Sequence, residues 1–169
     1  SKSLSDRLDK IEKEIYKLSG KEFNISSPKQ IQEIFYDHLK LPILKKTPKG
    51  QPSTNEDVMT RLAENHELPS MILSFRNLLK LKNTYTDKLG AQVSTVSNRL
   101  HTSYNQTVTI TGRLSSSSPN LQNIPIRTED GKKIRSAFIT DKGKKLVSFD
   151  YSQIELRILA HIAKIKNLI

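Results

Sequence analysis

Residues 148–161 read SFDYSQIELRILAH, and two periodicities meet in them. Leu146, Val147 and Phe149 form a short apolar, strand-like run that stops at Asp150. From Ser152 the pattern turns helical: Ile154, Ile158 and Ile162 recur four residues apart, joined by Leu159 and Ile165. A carboxylate at a strand end, just before a helix, is held on a rigid element with free carbonyls and amides beside it. That is a favourable place for a metal ligand. It is also a common place for a helix N-cap, and spacing alone leaves both readings open.

Working outward, the 169 residues suit one domain or somewhat more. Apolar content of 35% and seven prolines fit a modest core with long polar surfaces. No apolar run approaches the roughly 20 residues that span a bilayer, and no signal-peptide pattern opens the chain. Cysteine is absent, which excludes disulfides and thiolate metal sites. The net charge of +11 is spread along the chain, with 17 basic against 12 acidic residues through Asn105 and 11 against 5 afterwards. Such a balance favours a polyanionic partner, with nucleic acid ahead of an anionic membrane, because no strongly cationic amphipathic helix is visible.

Upstream, Leu4, Leu8, Ile11, Ile15 and Leu18 make one helical stripe that Ser19-Gly20 ends. Ser27-Pro28-Lys29-Gln30 starts a second helix with a capping box, burying Ile31, Ile34, Phe35 and Leu39 before Leu41-Pro42 breaks it. Lys45 to Ser53, KKTPKGQPS, is a surface loop. Ser53 to Glu56 reads as a further capping box ahead of Val58, Met59 and Leu62. After Leu68-Pro69 a longer helix is predicted over 70–89, with Met71, Ile72, Phe75, Leu78, Leu79, Thr86 and Leu89 on its core side. Residues 1–99 therefore read as a helical subdomain.

From residue 100 the character shifts. LHTSYNQTVTITGRL alternates Val108 and Ile110 with threonines and predicts a strand. Residues 115–127 are irregular, and 134–140 and 144–149 predict two more strands around an Asp141-Lys142-Gly143 turn. The expectation is an α+β fold: a helical subdomain, then a partial antiparallel or mixed sheet with one helix over 100–169. Three strands and one helix leave a sheet face uncovered, so this second part reads as incomplete.

TGRLSSSSPNLQNIPIR, IRSAFI and SFDYSQIELRILAHIA together resemble the family A DNA polymerases, the bacterial ones most closely. SPKQIQEIF, LPILKKTPKGQPSTNEDV, KLKNTYTDKL and HTSYNQ agree in order and spacing, so the resemblance covers nearly the whole chain. It implies that residues 1–99 are thumb and 100–169 the first part of a palm ending at motif A. The implied function is DNA-directed addition of deoxynucleotides to a primer 3′-hydroxyl, in replication and repair, by two-metal phosphoryl transfer. The implied partners are primer-template DNA and a deoxynucleoside triphosphate, with no membrane. The implied setting is a monomer in the bacterial cytoplasm, at the nucleoid.

Residue by residue, Asp150 matches the motif A aspartate that binds two magnesium ions, and the Tyr151 backbone carbonyl adds a ligand. Hard cations suit this chemistry because charge builds on both the attacking and leaving oxygens. Glu155 matches the residue that packs on the incoming sugar and excludes a 2′-hydroxyl, with Gln153 and Ile154 lining the same pocket. Arg113 matches an arginine in the minor groove at the primer end. Asn120, Gln122 and Asn123 belong to the stretch contacting template and primer, with Arg127 beside it. Minor-groove acceptors are similar in all base pairs, so such side chains test pairing without reading sequence. Lys45, Lys46, Lys49, Lys80 and Lys82 match thumb positions that grip phosphates, although charge runs are often only solvated faces. Tyr85 and Tyr104 read as packing residues, and the four histidines take no role, His161 on the last helix reading as a core or boundary side chain.

Phe149, Ser117-Ser118 and Gly90 depart from the family pattern, and the register between Leu89 and Leu100 is loose. The fingers helix and the second metal-binding carboxylate are expected after residue 169, so this stretch alone is not expected to polymerise. A non-catalytic primer-template-binding module and a single-subunit RNA polymerase palm are the alternative readings. Glu155 opposes the latter, since an RNA-synthesising site must admit a 2′-hydroxyl.

Overall fold

The computed structural model describes residues 2–165 and 167. The chain forms two compact units, Ser1–Arg135 and Ser136–Ile169.

The first unit is built on α1 (Lys2–Ser19), α2 (Pro28–Gln32), α3 (Glu56–Ala63) and α4 (Glu67–Leu81). Helix α4 packs against α1 and α3. The predicted stripes become the core: Leu8 and Ile15 of α1 meet Ile31, Ile34 and Phe35, then Val58, Met59 and Leu62, then Ile72, Phe75 and Leu78. Gly20, at φ +69°, supplies the left-handed turn that stops α1. Helix α2 widens into a π-helical segment over Glu33–His38, closed by Leu39 N–H donating to the Ile34 carbonyl at 2.9 Å.

Local capping differs from the expectation in three places. At α2 the Ser27 hydroxyl accepts from Gln30 N–H, but the Gln30 side chain accepts from Asn24 N–H rather than closing a box on Ser27. At α3 the cap is Asn55, whose Oδ1 accepts from Val58 N–H at 3.0 Å, two residues after the predicted Ser53. Ser53 instead accepts from Asn55 N–H and shapes the approach. Helix α4 begins at Glu67 and takes Pro69 into its first turn. The first N–H groups of a helix lack intrahelical partners, so a proline there forfeits nothing. Beyond Leu81 the helix passes into a second π-helical segment, Lys82–Thr86, and a short α5 (Lys88–Ala91).

The α+β class holds, with a two-stranded antiparallel sheet of β1 (Ser103–Asn105) and β2 (Ser115–Ser117). Individual strands are shorter or absent. Residues 106–114 form the connection between β1 and β2, turning at Gly112 with φ +72°. Ile110 in that connection is 106% exposed, so the threonine-isoleucine alternation has no buried face to align. The predicted strand over 134–140 is displaced by α6 (Glu129–Ser136). Thr128 Oγ1 accepts from Gly131 N–H, Glu129 and Asp130 fill the first turn, and Lys133 and Arg135 the last. These are the charges that a helix dipole favours at each end. Arg7 of α1 adds an ion pair to Asp130 at 2.8 Å. Gly131 is buried, and a Cβ there would lie 2.9 Å from Pro125 Cβ and 3.1 Å from its carbonyl carbon. Gly131→Ala is accordingly expected to cost about 1–3 kcal/mol by overpacking, read from thermal or urea unfolding.

In the second unit, residues 144–149 run without ladder hydrogen bonds, and Phe149 is 93% exposed. A strand is stabilised by cross-strand pairing, and the described residues offer this segment no partner. The unit's helix is α7 (Ile154–Ile162), apolar around most of its circumference. No helix is long and apolar enough to cross a membrane among the described residues.

Candidate nucleic-acid interface and active-site residues

In the first unit, the lysine-rich loop is a tight, fastened turn. Thr47 N–H donates to the Gln51 carbonyl at 2.7 Å, Gly50 N–H to the Thr47 carbonyl at 2.8 Å, and Ser53 N–H to the Lys45 carbonyl at 2.8 Å. Three side chains from the helices hold three successive carbonyls at its exit. Gln32 Nε2 donates to Pro52 O at 2.6 Å, Tyr36 Oη to Ser53 O at 2.6 Å, and Arg76 Nη1 to Thr54 O at 3.0 Å. Burial pushes the Tyr36 hydroxyl above its usual range, which keeps its donor proton in place. Burial also lowers Arg76 from its usual range.

Lys45, Lys46 and Lys49 are thus displayed to solvent from an anchored loop. Lys80 is exposed on α4, and an open groove of about 660 Å³ lies between loop and helix, lined among others by Thr47, Arg76, Lys80 and Asn83. Lys82 differs: it is half-buried and pairs with Asp87 at 2.7 Å. Arg76 and Tyr36 carried no functional signal in the spacing, since both also fit a helix that simply packs.

The run from Asn120 to Asn123 is folded onto β2. Ser116, 4% exposed, accepts Leu121 N–H on its hydroxyl at 2.9 Å. Gln122 donates from Nε2 to Leu114 O at 2.7 Å and accepts Ser116 N–H at Oε1 at 3.1 Å, so its carboxamide acts like a strand neighbour. Asn120 Oδ1 accepts Gln122 N–H at 3.0 Å and lies 3.2 Å from Ser116 Oγ. Two of the three predicted amide contacts therefore also build the loop. Asn123 is exposed, and its side chain makes no hydrogen bond among the described residues. Its carbonyl accepts from the Tyr85 hydroxyl. Arg113, at the end of the β1–β2 connection, and Arg127, before α6, are both exposed.

In the second unit the left-handed residue Gln153, at φ +52°, occupies the N-cap position of α7 with no side-chain cap. Asp150 is three residues earlier, exposed, and makes no hydrogen bond among the described residues, so the N-cap reading of this aspartate does not hold. Arg157 braces the turn, its N–H donating to Gln153 O at 3.1 Å and its Nε to Ser152 O at 2.9 Å. Tyr151 is exposed, Ile154 opens the helix, and Glu155 stands exposed on its first turn. Among the described residues no group of three or more His, Cys, Asp or Glu side chains could hold a metal ion. Asp150 and the Tyr151 carbonyl are hard oxygen donors of the kind magnesium takes, but they do not complete a ligand set by themselves.

Comparison with known proteins closes the question of kinship. The family model described as DNA polymerase family A matches residues 1–169. DNA polymerase I of Pseudomonas aeruginosa is 54% identical over 100% of this chain and 19% of its own length. That of Geobacillus stearothermophilus is 52% identical over 98% and 19%, and the thermostable DNA polymerase I of Thermus thermophilus 49% over 100% and 20%. The chain thus spans about a fifth of these relatives. A solved structure of the POL domain of Pol1 from M. smegmatis, in complex with DNA primer-template and dNTP, superposes with a TM-score of 0.85 at 40% identity, covering 96% of this chain and 29% of that one. A family match along the full length of the chain, joined by a likeness in fold over 96% of it, identifies it as a member of DNA polymerase family A.

Proposed function

We propose that this chain is the thumb (1–99) and the first part of the palm (100–169) of a DNA-directed DNA polymerase that extends a primer 3′-hydroxyl with deoxynucleotides. The observation that carries this reading is the likeness, over 96% of the chain, to a polymerase domain holding primer-template and dNTP. The intact polymerase acts in replication and repair, as a monomer in the bacterial cytoplasm at the nucleoid. Its cofactor is magnesium, two ions that supply charge neutralisation at the reacting oxygens. Toward them this chain offers Asp150 and the Tyr151 carbonyl, the other ligands lying outside these residues, so the stretch alone does not polymerise.

The chain's own residues bind and orient. Lys45, Lys46, Lys49 and Lys80 meet backbone phosphates, and Lys82 would join them only by leaving its ion pair with Asp87. Arg113, Asn120, Gln122, Asn123 and Arg127 meet the minor groove near the primer terminus. Gln153, Ile154 and Glu155 face the incoming nucleotide. Template-directed primer extension by the intact protein tests the activity, and failure to extend a recessed primer with all four dNTPs would sink it. The phosphate grip has a separate check. Replacing Lys45, Lys46 and Lys49 together by alanine is expected to flatten the plot of log affinity against log salt by roughly 3, about 1 per lost phosphate contact. An unaltered slope removes the loop from the interface.

A further inference from the structure

We propose that Tyr85 is a positioning residue for the primer-terminus contacts, acting through the backbone of Asn123. The proposal rests on the reading above that the run from Asn120 to Asn123 meets the paired primer end.

Tyr85 is 6% exposed and belongs to the π-helical segment that ends α4. Such segments recur where a helix is adapted to a function. Here Asp87 N–H reaches back to the Lys82 carbonyl at 3.0 Å, and Thr86 Oγ1 donates to that same carbonyl at 3.0 Å. The segment is therefore closed by two hydrogen bonds to one carbonyl beside the tyrosine. From it the Tyr85 hydroxyl crosses to the Asn123 carbonyl, 38 residues on. At its other end the run is stitched to β2 by Ser116 and the Gln122 carboxamide. The run is thus pinned from a strand on one side and from α4 on the other.

The geometry spends the backbone of Asn123 on this anchor and leaves its carboxamide exposed and without a hydrogen-bond partner among the described residues. Backbone held this way fixes the point from which the Asn123 side chain projects, so less backbone entropy remains to be lost on contact. Helix α4 carries Arg76, which grips the exit of the lysine loop, and Lys80, and it runs on into the segment that bears Tyr85.

The test uses the intact polymerase, with primer-template dissociation constants by fluorescence anisotropy and the ratio of paired to mispaired primer extension. Tyr85→Phe keeps the ring and removes the donor. It is expected to weaken primer-template binding about 3- to 10-fold, the scale of one lost hydrogen bond, and to lower the extension ratio comparably. The salt slope and the KM for dNTP are expected to match the parent. Placing p-aminophenylalanine at position 85 restores an N–H donor and is expected to recover both affinity and ratio. Asn123→Ala is the companion variant and is expected to lower both. A Tyr85→Phe enzyme that behaves as the parent, beside an impaired Asn123→Ala enzyme, overturns the positioning role while the contact run stands. Parent behaviour from both variants overturns the contact run itself. Impairment by Tyr85→Phe that the amino variant does not recover, or that Asn123→Ala does not share, assigns Tyr85 to packing and overturns the proposal.

Discussion

Asp150→Ala in the intact polymerase is expected to lower single-turnover nucleotide addition by at least about 10³-fold while changing primer-template affinity less than about twofold. Holding a divalent cation at a reacting phosphoryl group contributes several kcal/mol to transition-state stabilisation, and each 1.36 kcal/mol is tenfold in rate. The second half of the expectation comes from the fold. Asp150 is exposed, makes no hydrogen bond among the described residues, and does not cap α7, whose N-cap position belongs to Gln153. Removing it takes no support from the chain. Rapid-quench kinetics with a labelled primer, run beside equilibrium binding, separates the two. Equal losses in both would show the aspartate to be structural.

Glu155→Ala is expected to reduce discrimination against ribonucleotides by about 10- to 200-fold, the range for filling or emptying a methylene-sized volume in a selective pocket. Glu155 sits on the first turn of α7, where a carboxylate is also favoured by the helix dipole at roughly 0.3–1 kcal/mol. The alanine variant therefore loses a little helix stability together with bulk. Glu155→Gln separates the causes, since it keeps the side-chain volume and discards the charge. Competition between dNTP and rNTP for one template position is the measurement. Discrimination preserved in the glutamine variant and lost in the alanine variant supports a steric wedge. Loss in both points to charge, and loss in neither removes Glu155 from sugar selection.

Helical stripes were legible because burial on one side of a helix imposes its own period. Leu8, Ile15, Ile31, Phe35, Met59, Leu62 and Ile72 lie where the spacing puts them. Capping was less so, because Ser53 and Asn55 both have short polar side chains before an acidic first turn and only backbone geometry chooses Asn55. Helix α6 shows its signal in Thr128-Glu129-Asp130 followed by Lys133 and Arg135, yet its few apolar residues give no stripe to find it by. The β-branched segments misled for the opposite reason. Strand propensity describes a fit to a pleated, half-buried surface, and Ile110, Val147 and Phe149 have no such surface among the described residues. For the site, motif residues were named by resemblance, while the groups that hold them were invisible. Tyr85, Ser116 and Tyr36 act by hydrogen bonds to backbone 17 to 38 residues away or by folding a nearby loop, and no local spacing records that.

Gln32, Tyr36 and Arg76 grip the loop exit through the carbonyls of Pro52, Ser53 and Thr54. These contacts are made to backbone at 52–54, so none of them involves the exposed side chains of Lys45, Lys46 and Lys49. The loop's placement and its chemistry are therefore separable. Its lysines are free to change in number and spacing, and with them the reach and salt sensitivity of the hold on DNA. The helices beneath it need not be repacked for such a change.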